Sequence, residues 1–129
     1  MIYIALNLWP ILLATATGLV AGIAFLRLAG TGLSARPGVW LALVLAEAWL
    51  AAILAGALIL APDEAPAMVM ALLTPVVIWA GFVLPAIAAT HLGRGLGGRL
   101  AMVDAAHWLV VMLVQAVVLD SMGLVPPPR

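Results

Sequence analysis

Few side chains in this sequence can do chemistry, and their isolation makes them informative. Glu47 interrupts an otherwise apolar run from 39 to 61. On a helix it lies eight residues, about 12 Å, from the start of that run. An ionised carboxylate at hydrocarbon depth costs roughly 3 kcal/mol on insertion scales, while the eleven Leu, Val and Ile of the run return about 3–7 kcal/mol. The run can therefore enter a bilayer with its acid, which should face the inside of a bundle and find a partner there. Asp104 and His107, three residues apart, share a helix face, and Gln115 lies two turns beyond His107 on roughly the same side. His107 is eight residues past Arg99 and Glu47 eleven past Arg36, so helices starting from one membrane side place the two groups within about 5 Å in depth. That spacing allows a buried acid–imidazole pair able to take up or pass a proton. The plainer reading has Glu47 bonded to a backbone carbonyl or a Trp, with His107 satisfied separately.

Other chemistries find little support. There is no cysteine, which removes disulfides, thiolate catalysis and Cys-ligated metals. Haem ligation by His91 and His107 needs rings at similar depth on facing helices, whereas His91 ends one apolar run and His107 lies two turns inside the next. Asp104 and Asp120 read as near-interface residues, with Arg99 or Arg36 the expected partner of Asp104. Gly93-x-Gly95 follows a helical run rather than a strand, so it is no phosphate-binding loop. No cofactor or metal is expected, while a bound lipid, quinone or pigment stays open. Five arginines without a lysine, at zero net charge, form no basic stripe, which argues against nucleic acid.

The elements that position these residues follow from composition. Of 129 residues, 67% are hydrophobic and 8% charged, against about 25% charged in soluble domains. Crossing roughly 30 Å of hydrocarbon takes about 20 helical residues. Four runs qualify: 2–28, 39–61, 67–90 and 100–122. The first is too long and lacks the basic flank of a cleavable signal, although Ala14-Thr15-Ala16 resembles a cleavage triplet. The expected fold is an all-α membrane protein, a single domain of four transmembrane helices forming two antiparallel hairpins in a compact bundle. Arg27 and Arg36 flank the first connector and Arg94 and Arg99 the third; the second carries Asp63 and Glu64. The positive-inside rule then places connectors one and three in the cytoplasm and both termini outside it, with Arg129 dissenting.

Small residues recur every fourth position at Ala14, Gly18 and Gly22 and at Ala48, Ala52 and Gly56, the spacing that lets helices approach closely in lipid. Pro75 and Pro85 should perturb the third helix. Trp9 and Trp40 suit an interfacial belt, whereas Trp49, Trp79 and Trp108 are expected to pack inside the bundle or against a partner. Pro126-Pro127-Pro128 should form a short extended stub. Gly30-x-Gly32-Leu33-x-x-Arg36 recurs 63 residues later as Gly93-x-Gly95-Leu96-x-x-Arg99, with Gly18 and Gly81 in the same register. Either a hairpin has been duplicated or common turn chemistry recurs.

The stretches Trp79-Ala80-Gly81-Phe82-Val83-Leu84-Pro85 and Asp104-Ala105-Ala106-His107-Trp108-Leu109-Val110 resemble the small bacterial four-helix membrane proteins of domain-of-unknown-function family 1761. The resemblance covers mainly the second half of the chain. It implies four spans and a bacterial inner membrane, and no reaction. The expected role is a non-catalytic accessory, assembly or stabilising subunit that meets membrane lipids and either a membrane-protein partner or further copies of itself. The alternatives are an oligomeric proton-coupled transporter using Glu47, and an intramembrane lipid- or quinone-modifying enzyme with Glu47, Asp104 and His107 as acid–base groups.

Overall fold

A computed structural model describes residues 2–34, 36–62 and 65–128. Six α-helices account for nearly all of them: α1 (Ile2–Leu6), α2 (Leu8–Leu28), α3 (Pro37–Ile59), α4 (Ala67–Ile78), α5 (Leu84–Gly93) and α6 (Gly98–Met122). A π-helical turn, Trp79–Val83, joins α4 to α5. Four helical stretches, Leu8–Leu28, Pro37–Ile59, Ala67–Gly93 and Gly98–Met122, are long and apolar enough to cross a membrane.

The breaks within these stretches have local causes. The first run is not one helix from 2 to 28, because Pro10 has no N–H for the Leu6 carbonyl and its ring crowds that carbonyl. The irregularity falls at Asn7, with φ −111° and ψ 23°. In the third stretch the Leu84 N–H bonds the Trp79 carbonyl, five residues back. This widened turn accommodates the donor missing at Pro85.

Positive-φ glycines follow α2, α5 and α6. Gly30 (φ +71°) follows α2, with Thr31 N–H bonding Leu26 O and Gly30 N–H bonding Arg27 O. Gly95 (φ +68°) follows α5 with the same pair of bonds, Leu96 to His91 and Gly95 to Leu92. Both are Schellman caps, whose left-handed residue favours glycine. Gly30 therefore corresponds to Gly95, whereas the repeat register matched it to Gly93. Gly18 is buried against side chains, whereas a methyl group on Gly81 would meet nothing within 4 Å. The two turns share one cap chemistry, two residues out of step with the 63-residue register.

Helix α6 packs against α2, α3, α4 and α5; α3 also touches α2 and, more lightly, α4, while α2 touches neither α4 nor α5. The cross-section is a rhombus with α3 and α6 on its short diagonal. Connectors one and three meet at one end, where Ala29, Gly30, Thr31, Leu96 and Arg99 line a common cleft. Arg27, Arg36, Arg94 and Arg99 thus share that end. Asp120 lies at the other, beside Ala61, Pro62 and Ala65; Asp63, Glu64 and Arg129 fall outside the described residues. The core beyond Glu47 toward the Asp120 end is apolar, built on Ile11, Ala14, Leu54, Ala55 and Leu119. Trp49, expected inside or against a partner, is 56% exposed on the free face of α3.

Candidate functional site

Three helices converge on two glycines. Gly18 and Gly22 lie buried one turn apart on α2. A Cβ on Gly18 would stand 2.7 Å from both Gln115 Nε2 and Glu47 Oε2; one on Gly22 would stand 2.7 Å from His107 Nε2 and 3.0 Å from Val111 Cγ2. The small-residue face of α2 is a contact face, but what it admits is the polar tips of side chains from α3 and α6. The second stripe behaves differently. Tyr3 Oη donates to the Ala52 carbonyl at 3.2 Å and would lie 2.9 Å from a Cβ on Gly56, so Ala52 and Gly56 receive the N-terminal segment. Ala48 is only half-buried.

Glu47 is 3% exposed and Gln115 fully buried. Gln115 Nε2 donates to the Glu47 carbonyl at 3.3 Å and to Glu47 Oε2 at 3.4 Å, both at the long end of the hydrogen-bond range. Gln115 Oε1 has no partner among the described residues. The depth comparison set His107 opposite Glu47, yet no hydrogen bond joins these two among the described residues. Side chains on a helix lean toward its N-terminus. Gln115, rooted two turns farther along α6, reaches back to Glu47, while His107 reaches back to Gly22. The His107 ring, on a residue 8% exposed, packs against Phe25 (centroids 6.3 Å apart) and edge-on to Trp108 (5.2 Å).

Asp104 does not pair with Arg99 or Arg36. Its Oδ2 lies 2.8 Å from His91 Nε2, because α5 packs alongside α6 immediately after the turn and brings the last turn of α5 against the second turn of α6. His91 Nδ1 is 3.0 Å from the Ile87 carbonyl. A carbonyl only accepts, so Nδ1 carries hydrogen, and the short Nε2–Oδ2 contact needs one further proton held between ring and carboxyl. The pair is half-open, its side chains 15% (His91) and 34% (Asp104) exposed. Trp79, in the π turn, donates Nε1–H to the Ala105 carbonyl at 2.7 Å and ties the same two elements.

Two sites escaped the sequence reading. Asn7, 1% exposed, donates Nδ2–H to the Tyr3 and Val125 carbonyls at 2.8 and 2.9 Å and accepts the Val125 N–H at 2.8 Å. Val125 is therefore clasped to the N-terminal segment, and Pro126, Pro127 and Pro128 beyond it are non-helical and exposed. A lone Asn in an apolar run was the available signal. The His91–Asp104 pair had none, since its members sit 13 residues apart on different helices. Among the described residues no group of three His, Asp or Glu could hold a metal. No protein-family model, curated protein or solved structure matches this chain.

Proposed function

We propose that the chain is an integral membrane protein of four spans in two antiparallel hairpins, acting as a non-catalytic accessory, assembly or stabilising subunit of a larger membrane complex. One observation carries this reading: its polar chemistry is turned inward while its outer flank is bare. Glu47, Gln115 and His107 are buried in the α2–α3–α6 cluster, whereas α4, the π turn and α5 present Val77, Phe82 (74% exposed) and the open backbone of Gly81. An exposed apolar surface of this extent belongs in lipid or against another membrane protein. The four-arginine end would lie in the cytoplasm and both termini outside it. A bacterial inner membrane is proposed on the sequence resemblance to family 1761 alone, since no family model matches the chain.

The test is co-purification after gentle extraction. Gly18→Leu and Gly22→Leu, which block the sockets, should abolish recovery with partners. Glu47→Gln and His107→Ala should leave it intact, and the reverse pattern would overturn the reading. A second reading, proton-coupled transport by an oligomer, is favoured by the orphan Gln115 Oε1 beside a carboxyl. There Glu47→Gln should abolish flux in proteoliposomes, and unchanged flux would sink it. An intramembrane enzyme acting on a lipid or quinone, with Glu47, Asp104 and His107 as acid–base groups, is the third reading, and Asp104 stands there in a half-open pair with His91.

A further inference from the structure

The buried polar groups are not scattered; they descend in one line from the arginine-bearing end. Asp104 and His91 come first, with side chains 34% and 15% exposed. His107 follows one turn deeper on α6, about 4.5 Å along the axis, and is 8% exposed. Its ring nitrogens make no hydrogen bond among the described residues. Glu47 and Gln115 end the line at 3% and 0%. The last two stations abut Gly22 and Gly18, again one turn, about 6 Å, apart along α2. Axial steps of about 4.5 and 6 Å are of the size that one intervening water spans. The line ends on Gln115 Oε1, a buried acceptor beside a carboxyl and without a donor among the described residues.

Toward the opposite end the pattern reverses. Ile11, Ala14, Leu54, Ala55 and Leu119 fill the interior beyond Glu47, each 4% exposed or less. The buried polar side chains on that side are spent on backbone: Thr15 donates to Ile11 O, and Asn7 clasps Tyr3 and Val125. Asp120 faces the clefts at the far rim. Among the described residues, the charged and titratable groups facing the line are thus Asp104 and His91, with Arg99 and Arg27 exposed near its mouth.

We propose that Glu47 exchanges a proton with the arginine-bearing end only, by way of His107 and the His91–Asp104 pair. The proton shared by His91 Nε2 and Asp104 Oδ2 passes inward and is replaced from water. His107 takes it on one ring nitrogen and releases the proton of the other. The Glu47 carboxylate becomes a carboxylic acid, whose O–H supplies the donor that Gln115 Oε1 lacks. Nothing is oxidised, and no group other than the proton moves. This step goes beyond the docking role and deepens the second reading, because it names the side from which Glu47 is reached.

The experiment is infrared spectroscopy of the full chain in sealed liposomes, following the protonated-carboxyl stretch after a pH jump on one side. The absence of cysteine lets a single Ser34→Cys, labelled with an impermeant maleimide, report orientation. The expected result is a band lost in Glu47→Gln that responds to jumps at the arginine-bearing face alone. His107→Met and Asp104→Asn should each slow it by about a hundredfold, the lower end of what a positioned proton-transfer group contributes. Native-like circular dichroism would confirm that these variants fold. A Glu47 band that answers from the opposite face, or at wild-type rate in both variants, overturns the path while leaving proton uptake by Glu47 standing. No pH-responsive Glu47 band overturns both.

Discussion

The sharpest consequence of the glycine sockets concerns the smallest substitution that fills one. In Gly18→Ala the new methyl carbon would meet Gln115 Nε2 and Glu47 Oε2 at 2.7 Å and Gln115 Cγ at 3.0 Å, where ordinary contact begins at 3.4 Å. The two tips are flexible in principle, but both belong to buried residues, and Cγ cannot swing without moving the whole Gln115 side chain. Overpacking of this kind costs about 1–3 kcal/mol, offset by up to about 1 kcal/mol from replacing a mid-helix glycine with alanine. The expected net effect is a loss of about 1–2 kcal/mol, read as a lower midpoint in reversible unfolding by sodium dodecyl sulfate in mixed micelles. In a Gln115→Ala background both Gln115 contacts are gone and the remaining close atom, Glu47 Oε2, is a side-chain tip with vacated space to turn into, so the same change should become neutral or stabilising. The coupling between the two positions is then about 1–2 kcal/mol, within the range for contacting residues. Gly81→Ala, which meets nothing within 4 Å, is the control and should lose no stability. A Gly18→Ala chain more stable than the parent with Gln115 present would refute the socket.

Three further outcomes follow from single contacts. Asn7→Leu removes three hydrogen bonds and strands the Val125 backbone, so it should cost about 2–3 kcal/mol and expose the C-terminal tail to carboxypeptidase in detergent; a tail as resistant as before would contradict the clasp. Gly30→Ala and Gly95→Ala each force a Cβ into left-handed backbone and should each lower stability by about 1 kcal/mol, measured by thermal unfolding; equal behaviour of Gly93→Ala and Gly95→Ala would speak against the cap assignment. Trp79→Phe deletes the bond to the Ala105 carbonyl and should cost about 1 kcal/mol, with faster hydrogen exchange confined to the π turn and the adjoining part of α6.

How much of this was legible beforehand depended on which physical signal carried it. The four long helices were, because about twenty uninterrupted apolar residues have few other destinations, and Gly and Pro mark their ends. Glu47 was identified as an inward-facing residue for the same reason: no other direction satisfies a carboxyl in such a run. Neighbours across helices were not. Each long helix is apolar nearly all round, so no amphipathic stripe announces which face turns inward, and depth alone had to stand in for azimuth. Depth set His107 beside Glu47 and overlooked that Gln115, leaning back along α6, reaches it from two turns away. It likewise assigned Asp104 to an arginine by proximity in sequence, when the packing of α5 on α6 supplied His91. Gly30 and Gly93 matched as letters, but only backbone dihedrals show that Gly95 is the true counterpart of Gly30.

The most direct test of the proposed role is the native mass of the chain after gentle extraction from its own membrane. An accessory subunit should be recovered in fixed stoichiometry with larger membrane proteins, and that stoichiometry should survive Glu47→Gln and collapse in Gly22→Leu. Recovery as a lone monomer or a small homo-oligomer, with no other chain present, would contradict it and leave Glu47 and its proton as the function to pursue.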